Sequence, residues 1–143
     1  FPNVIGPRLT HGVIFDFIRK LKSNSNQLEI LGNGKQSKPY LYVLDLVDAI
    51  MKYKDVQNVG IEIYNIGVES QTSVTKIADI ICKELQLEHV KYNYTGGNVG
   101  WKGDVPVFAY NLDKIHAAGW TAKYTSDESV ALTVQEEVTK CML

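Results

Sequence analysis

Apolar residues at Val13, Ile14, Phe17, Ile18 and Leu21 recur at the spacing of one helical face, and they predict a helix after the turn at 6–8. The short apolar run Val4 and Ile5 before that turn reads as a strand. Beyond a polar loop at 22–27, residues 28–31 predict a second short strand. A third covers 40–43, entered through Pro39, which lacks a donor and holds Lys38 in an extended geometry. A helix follows over 45–53, with Val47, Ile50 and Met51 as its inward positions. Residues 60–67 are bounded by glycines and have the β-branched content of a buried strand. Thr72 or Ser73 then caps a helix whose stripe is Val74, Ile77, Ile81 and Leu85. A strand over 90–94 leads into a loop at 95–106 without periodic signal, where ligand-facing residues are expected. A short helix at 111–118 stops at Gly119, and Ser126 caps a last helix with Asp127 and Glu128 in its first turn. Strands alternating with helices predict an α/β fold.

Composition narrows the partners. The chain has 143 residues, 45% hydrophobic and 22% charged, enough for one domain with a core. Fifteen Lys and Arg against sixteen Asp and Glu leave a net charge of -1, which argues against nucleic acid or an acidic membrane as partner. Any anion site must be local. No apolar run is long enough to span a bilayer and no signal-peptide layout opens the chain, so a soluble, cytoplasmic protein is expected. Cys82 and Cys141 are expected as free thiols. The opening Phe-Pro-Asn-Val reads as the inside of a strand, and the chain is expected to be a fragment.

Several motifs invite chemistry. Lys35 and Lys38 around Gly32 and Gly34 could hold a phosphate or form a solvated hairpin loop; Ser37 stands where a dinucleotide loop needs its third glycine. Gly96, Gly97 and Gly100 follow a strand but open onto Trp101 rather than a helix, leaving a ligand loop or a turn. Tyr110 and Lys114 have the spacing of a dehydrogenase acid/base pair, but without a cofactor loop before them they read as coincidence. His11, His89 and His116 stand apart from other metal ligands, so no metal site is expected. His11 could line a cleft or lie on the surface. Trp120 reads as a packing anchor and Trp101 as a possible ligand cover. No nucleophile elbow supports hydrolysis.

Four segments in order carry a resemblance: "FPNVIGPR", "LEILGNGKQSKPYLYVLDLVDAI", "YNIG" and "GWKGDVP" with "NLDKIHAAGW". Together they are similar to the C-terminal, substrate-binding half of the extended short-chain dehydrogenases/reductases, the NAD-dependent nucleotide-sugar epimerases and dehydratases typified by UDP-glucose 4-epimerase. The resemblance covers nearly all of 1–143. It implies an α/β, Rossmann-type portion of mixed short strands and helices, incomplete without an upstream NAD-binding half. NAD and the catalytic residues would lie before Phe1, so no catalytic residue and no bound cofactor are expected in this stretch, which alone would be inactive.

The implied partner is a nucleotide-diphosphate sugar. Asn3 would contact its diphosphate or sugar, Val13 and Phe17 would lie near the base, Lys38 would grip a phosphate, and Tyr40 would flank the nucleotide. Asp104 would contact the ribose, with Lys102 substituting for a family arginine that would fall on Val99 or Trp101. Lysine at 38 replaces another family arginine, keeping charge and losing the bidentate fork. Pro39 replaces the aspartate that follows it. The implied activity of the parent is interconversion of UDP-glucose and UDP-galactose by transient oxidation at NAD. Dehydration or reduction of a sugar nucleotide, and non-catalytic binding, are the alternatives. Strand edges exposed at 1–4 and 64–67 imply a homodimer.

Overall fold

A computed structural model describes residues 1–54, 60–98, 100 and 108–140. In chain order the elements are β1 (Asn3–Ile5), α1 (Val13–Ser23), β2 (Gln27–Ile30), β3 (Ser37–Lys38), β4 (Tyr40–Tyr42) and α2 (Val43–Tyr53). They continue with β5 (Thr72–Ser73), α3 (Val74–Glu84), β6 (Lys91–Tyr94), α4 (Asp113–Ala117) and α5 (Ser126–Lys140). The expected α/β alternation of short elements is what the chain builds.

The described strands form three two-stranded sheets: β1 with β4 in parallel, β2 with β6 in parallel, and β3 with β5 antiparallel. In β2 the alternation of side chains is clean. Leu28 and Ile30 are fully buried while Gln27 and Glu29 face out. The main core joins those two residues to Ile14, Phe17 and Leu21 of α1, Ile77 and Ile81 of α3, and Val130 and Val134 of α5. Each such large aliphatic side chain contributes about 1.5–3 kcal/mol on burial, so this cluster dominates the stability of the chain. A second cluster gathers Leu41, Leu46, Ala49, Leu112, Ile115 and Trp120. Trp120 is the expected anchor, 3% exposed, and its indole donates to Asp48 Oδ2 at 2.9 Å.

Caps explain where the helices start. Ser73 accepts from the Lys76 amide at 3.1 Å and opens α3 as expected. At α5 the cap is Thr125, not Ser126. The Thr125 hydroxyl accepts from Glu128 N at 3.3 Å, and the Glu128 carboxylate accepts from Thr125 N at 2.8 Å. This reciprocal capping box frees Ser126, which is fully buried, for a different role.

Two expectations about apolar faces are corrected. On α2 the buried residues are Asp45, Leu46 and Ala49. Val47, Ile50 and Met51 are 46%, 51% and 54% exposed. Residues 60–67 carry no strand, and Ile61 and Ile63 are 93% and 75% exposed. A strand exists only with a partner to take its backbone hydrogen bonds, and none of the described strands runs beside this segment. It is anchored instead through side chains: Tyr64 stacks on Tyr53 at 5.3 Å, and Glu62 pairs with Lys114 at 2.7 Å.

Candidate functional site

β1, α1, the segment 36–40 and the start of α3 surround a cavity of about 640 Å³. The register of the β1–β4 pair sets Asn3 directly beside Tyr40. Alternation along 36–40 then turns Gln36, Lys38 and Tyr40 to the same cavity. Opposite, one face of α1 contributes Val13 and Phe17, one turn apart. Asn3, Val13, Phe17, Lys38 and Tyr40, which the sequence scatters over four elements, therefore share one cavity. Lys102 and Asp104 lie outside the described residues, as do Val99, Trp101 and Cys141.

Within the cavity the roles divide by burial. Phe17 is 3% exposed and belongs to the core as much as to the wall, and Tyr40 is 6% exposed. Asn3 is exposed and Lys38 half-buried, so both side chains reach solvent. Lys38 supplies an ammonium. The carboxylate on the described wall, Asp16, is already engaged by the cations of its own helix, Lys20 at 3.0 Å and Arg19 at 3.3 Å. Lys38 is thus a cation on a described wall that is otherwise largely apolar.

The expected lysine pair is split. Lys35 is exposed and is not on the cavity wall, while Lys38 is on it. The glycine loop before them is a packed turn. Gly34 has φ +76°, and a Cβ there would overlap the Thr75 hydroxyl and the Tyr94 ring. Its neighbours are tied down as well: Gly32 N donates to Thr95 Oγ1 at 2.9 Å, and Thr75 N donates to Gly34 O at 3.1 Å. With these groups spent internally and no helix opening after them, the loop does not fit the pyrophosphate of NAD.

The dehydrogenase-like pair is taken apart by geometry. Tyr110 lies before α4 and its hydroxyl donates to Phe1 O at 3.2 Å. Lys114 donates to Glu62 Oε2 at 2.7 Å and Ile63 O at 2.9 Å and covers the Tyr64 ring at 4.6 Å. The two residues serve separate contacts. His11 lines the cavity mouth although exposed, with Thr10 Oγ1 at 3.3 Å from its Nδ1. Among the described residues no group of three or more His, Cys, Asp or Glu gathers to hold a metal, and no helix is long and apolar enough to cross a membrane. Cys82 is a free, buried thiol 3.5 Å from the Tyr92 hydroxyl.

Gln36 was the wall residue that motif reading passed over. It is 5% exposed and its amide donates to Leu31 O at 3.1 Å, bracing the glycine loop against the cavity. The period of two that links it to Lys38 and Tyr40 was the available signal.

The fold is α/β, and its described cavity wall carries the Lys38 side chain. Residues 1–67 match the family model described as NAD dependent epimerase/dehydratase family. The dTDP-D-glucose 4,6-dehydratase of Homo sapiens is 31% identical over 141 residues, covering 93% of this chain and 39% of the human protein. A crystal structure of UDP-galactose 4-epimerase matches with a TM-score of 0.80 and 34% identity, over 97% of this chain and 44% of that one. MoeE5 in complex with UDP-glucuronic acid and NAD matches with a TM-score of 0.78 and 27% identity, over all of this chain and 46% of that one. The chain thus spans less than half the length of these relatives. It belongs to the NAD dependent epimerase/dehydratase family.

Proposed function

We propose that this chain is the nucleotide-diphosphate-sugar-binding part of an NAD-dependent sugar-nucleotide enzyme, with interconversion of UDP-glucose and UDP-galactose as the parent activity. The observation that carries the reading is the convergence of Asn3, Lys38 and Tyr40 on a cavity walled by Val13 and Phe17. An apolar slot with an aromatic, an amide and one ammonium suits a ligand with a flat base at one end and a diphosphate at the other. Lys38 acts on the diphosphate as a point charge and Tyr40 lies against the nucleoside. In the same proposal Lys102 and Asp104 complete the site. NAD supplies the hydride chemistry and is held by residues other than those described; this chain binds and orients, and by itself turns nothing over.

Sugar-nucleotide dehydration is the second reading, favoured by the match to the human dehydratase over 93% of the chain. The full-length natural protein, incubated with NAD and UDP-glucose, decides between them by product. UDP-galactose establishes the epimerase, a keto sugar that has lost water establishes the dehydratase, and bound but unchanged UDP-glucose leaves a binding protein. A cytoplasmic location belongs to the proposal, as does a homodimer, the latter supported by the apolar residues that α2 and 61–63 leave exposed.

A further inference from the structure

Behind the cavity lies a line of buried hydroxyls that are not part of its wall. Ser126 and Thr72 are 0% and 1% exposed. Tyr40 N lies 3.1 Å from Ser126 Oγ, Ser126 Oγ lies 2.7 Å from Thr72 Oγ1, and Thr72 Oγ1 lies 2.6 Å from Asp127 Oδ1. The protons on this line can be assigned. The Tyr40 amide can only donate and an ionised carboxylate can only accept, so Thr72 gives its one proton to Asp127 and Ser126 gives its own to Thr72. All the donors point the same way, from the cavity strand to a charged terminus, the arrangement in which successive hydrogen bonds strengthen one another.

Pro39 has no N–H, so between Lys38 and Tyr40 the Tyr40 amide is the next available donor. Thr72 holds the other side, because it is also the register partner of Lys38 in the β3–β5 pair. The Lys38 carbonyl lies 3.5 Å from the same Ser126 oxygen. Ser126 is itself fixed, its amide donating to Ser70 Oγ at 2.8 Å. Ser126 thus takes the amide that follows Pro39, Thr72 pairs with the residue that precedes it, and the two side chains on either side of Pro39 line the cavity.

We propose that Ser126, acting with Thr72 and Asp127, is a positioning residue that sets the Lys38 ammonium at the height of the ligand's diphosphate. This rests on the reading of the cavity as a nucleoside-diphosphate site. A lysine has no fork to fix its own direction, so its backbone must be held where an arginine could have oriented itself. Ser126 never contacts ligand; it acts through Lys38.

The test is a mutant cycle on the full-length natural protein, with UDP as the probe and calorimetric titration as the readout. Ser126→Ala should weaken UDP binding about tenfold, within the coupling range for members of one network. Thr72→Val, which keeps shape and removes only the hydroxyl, should do the same and stands in where Ser126→Ala fails to fold. In the Lys38→Ala background neither change should weaken UDP further, a loss of effect that general destabilisation cannot produce. Unchanged affinity in both single variants, or the same tenfold loss with Lys38 absent, overturns the inference while leaving the binding site standing. A wild-type protein that does not bind UDP at millimolar concentration overturns the site and the inference together.

Discussion

α1 and α2 are each eleven residues long, and both carry apolar residues at helical spacing. α1 buries Ile14, Phe17, Ile18 and Leu21. α2 leaves Leu44, Val47, Ile50 and Met51 between 46% and 59% exposed. The difference lies in the polar residues. α1 has one apolar stripe and a charged back, so hydrophobicity alone orients it. α2 is apolar nearly all round, and polar contacts choose its rotation. Asp45 Oδ2 accepts from Lys123 N at 3.0 Å and Tyr124 N at 3.2 Å, and Asp48 takes the Trp120 indole. Those bonds turn Asp45, Leu46 and Ala49 inward and the larger aliphatics outward. A carboxylate is buried only where donors meet it, and the two amides that meet Asp45 fix which face of α2 turns inward.

The largest expected effect breaks the α1 side of the comparison. Ile81→Ala, at a fully buried site facing α1, should cost about 2–5 kcal/mol in urea denaturation. Ile50→Ala on the open face of α2 should stay within about 0.5 kcal/mol in this chain. A cost for Ile50→Ala in the full-length protein close to that of Ile81→Ala means that other residues cover the face there. Next in size is Asp45→Ala, which orphans two backbone donors and should cost about 1–3 kcal/mol. A neutral result would remove Asp45 as the residue that orients α2.

Alkaline titration sharpens the contrast at the β4–α5 contact. Burial, and next the Glu136 carboxylate that its hydroxyl meets at 2.8 Å, push Tyr42 from 10.0 up to about 12. The folded chain holds this proton more tightly than the unfolded one. Its contribution is therefore complete below about pH 10 and is lost as pH rises to about 12. Tyr42→Phe should flatten the fall of stability over that window, and an unchanged pH profile would contradict the assignment. The smallest effect on folding is expected from Val47→Glu with Ile61→Lys, within about 0.5 kcal/mol each. In sedimentation these changes should abolish self-association of the wild-type protein; a wild-type monomer at high concentration removes the homodimer.

The same contrast explains what was legible in advance. Clean periodicity gave α1, the stripe of α3 and the alternation of β2, because there the hydrophobic pattern and the burial agree. The capping box at Thr125 and Glu128 is also legible in the sequence, as a threonine followed three residues on by a glutamate. The rotation of α2 was not legible, since it depends on Asp45 meeting amides 78 and 79 positions away. The absence of a strand at 60–67 has the same cause: β-branched content shows what a segment can do, and its partner decides whether it does it. At the site, Lys38 and Tyr40 could be placed from motif order, whereas the duty of Gly34 could not. Its steric need comes from Thr75 and Tyr94, far along the chain.

Titration of the full-length natural protein with UDP, wild type against Lys38→Ala, tests the central claim most directly. The account predicts binding to the wild type and a loss of roughly 1–3 kcal/mol in the variant, the range for removing a charged hydrogen-bonding partner. Equal affinities for the two proteins, or no binding to either, would contradict it.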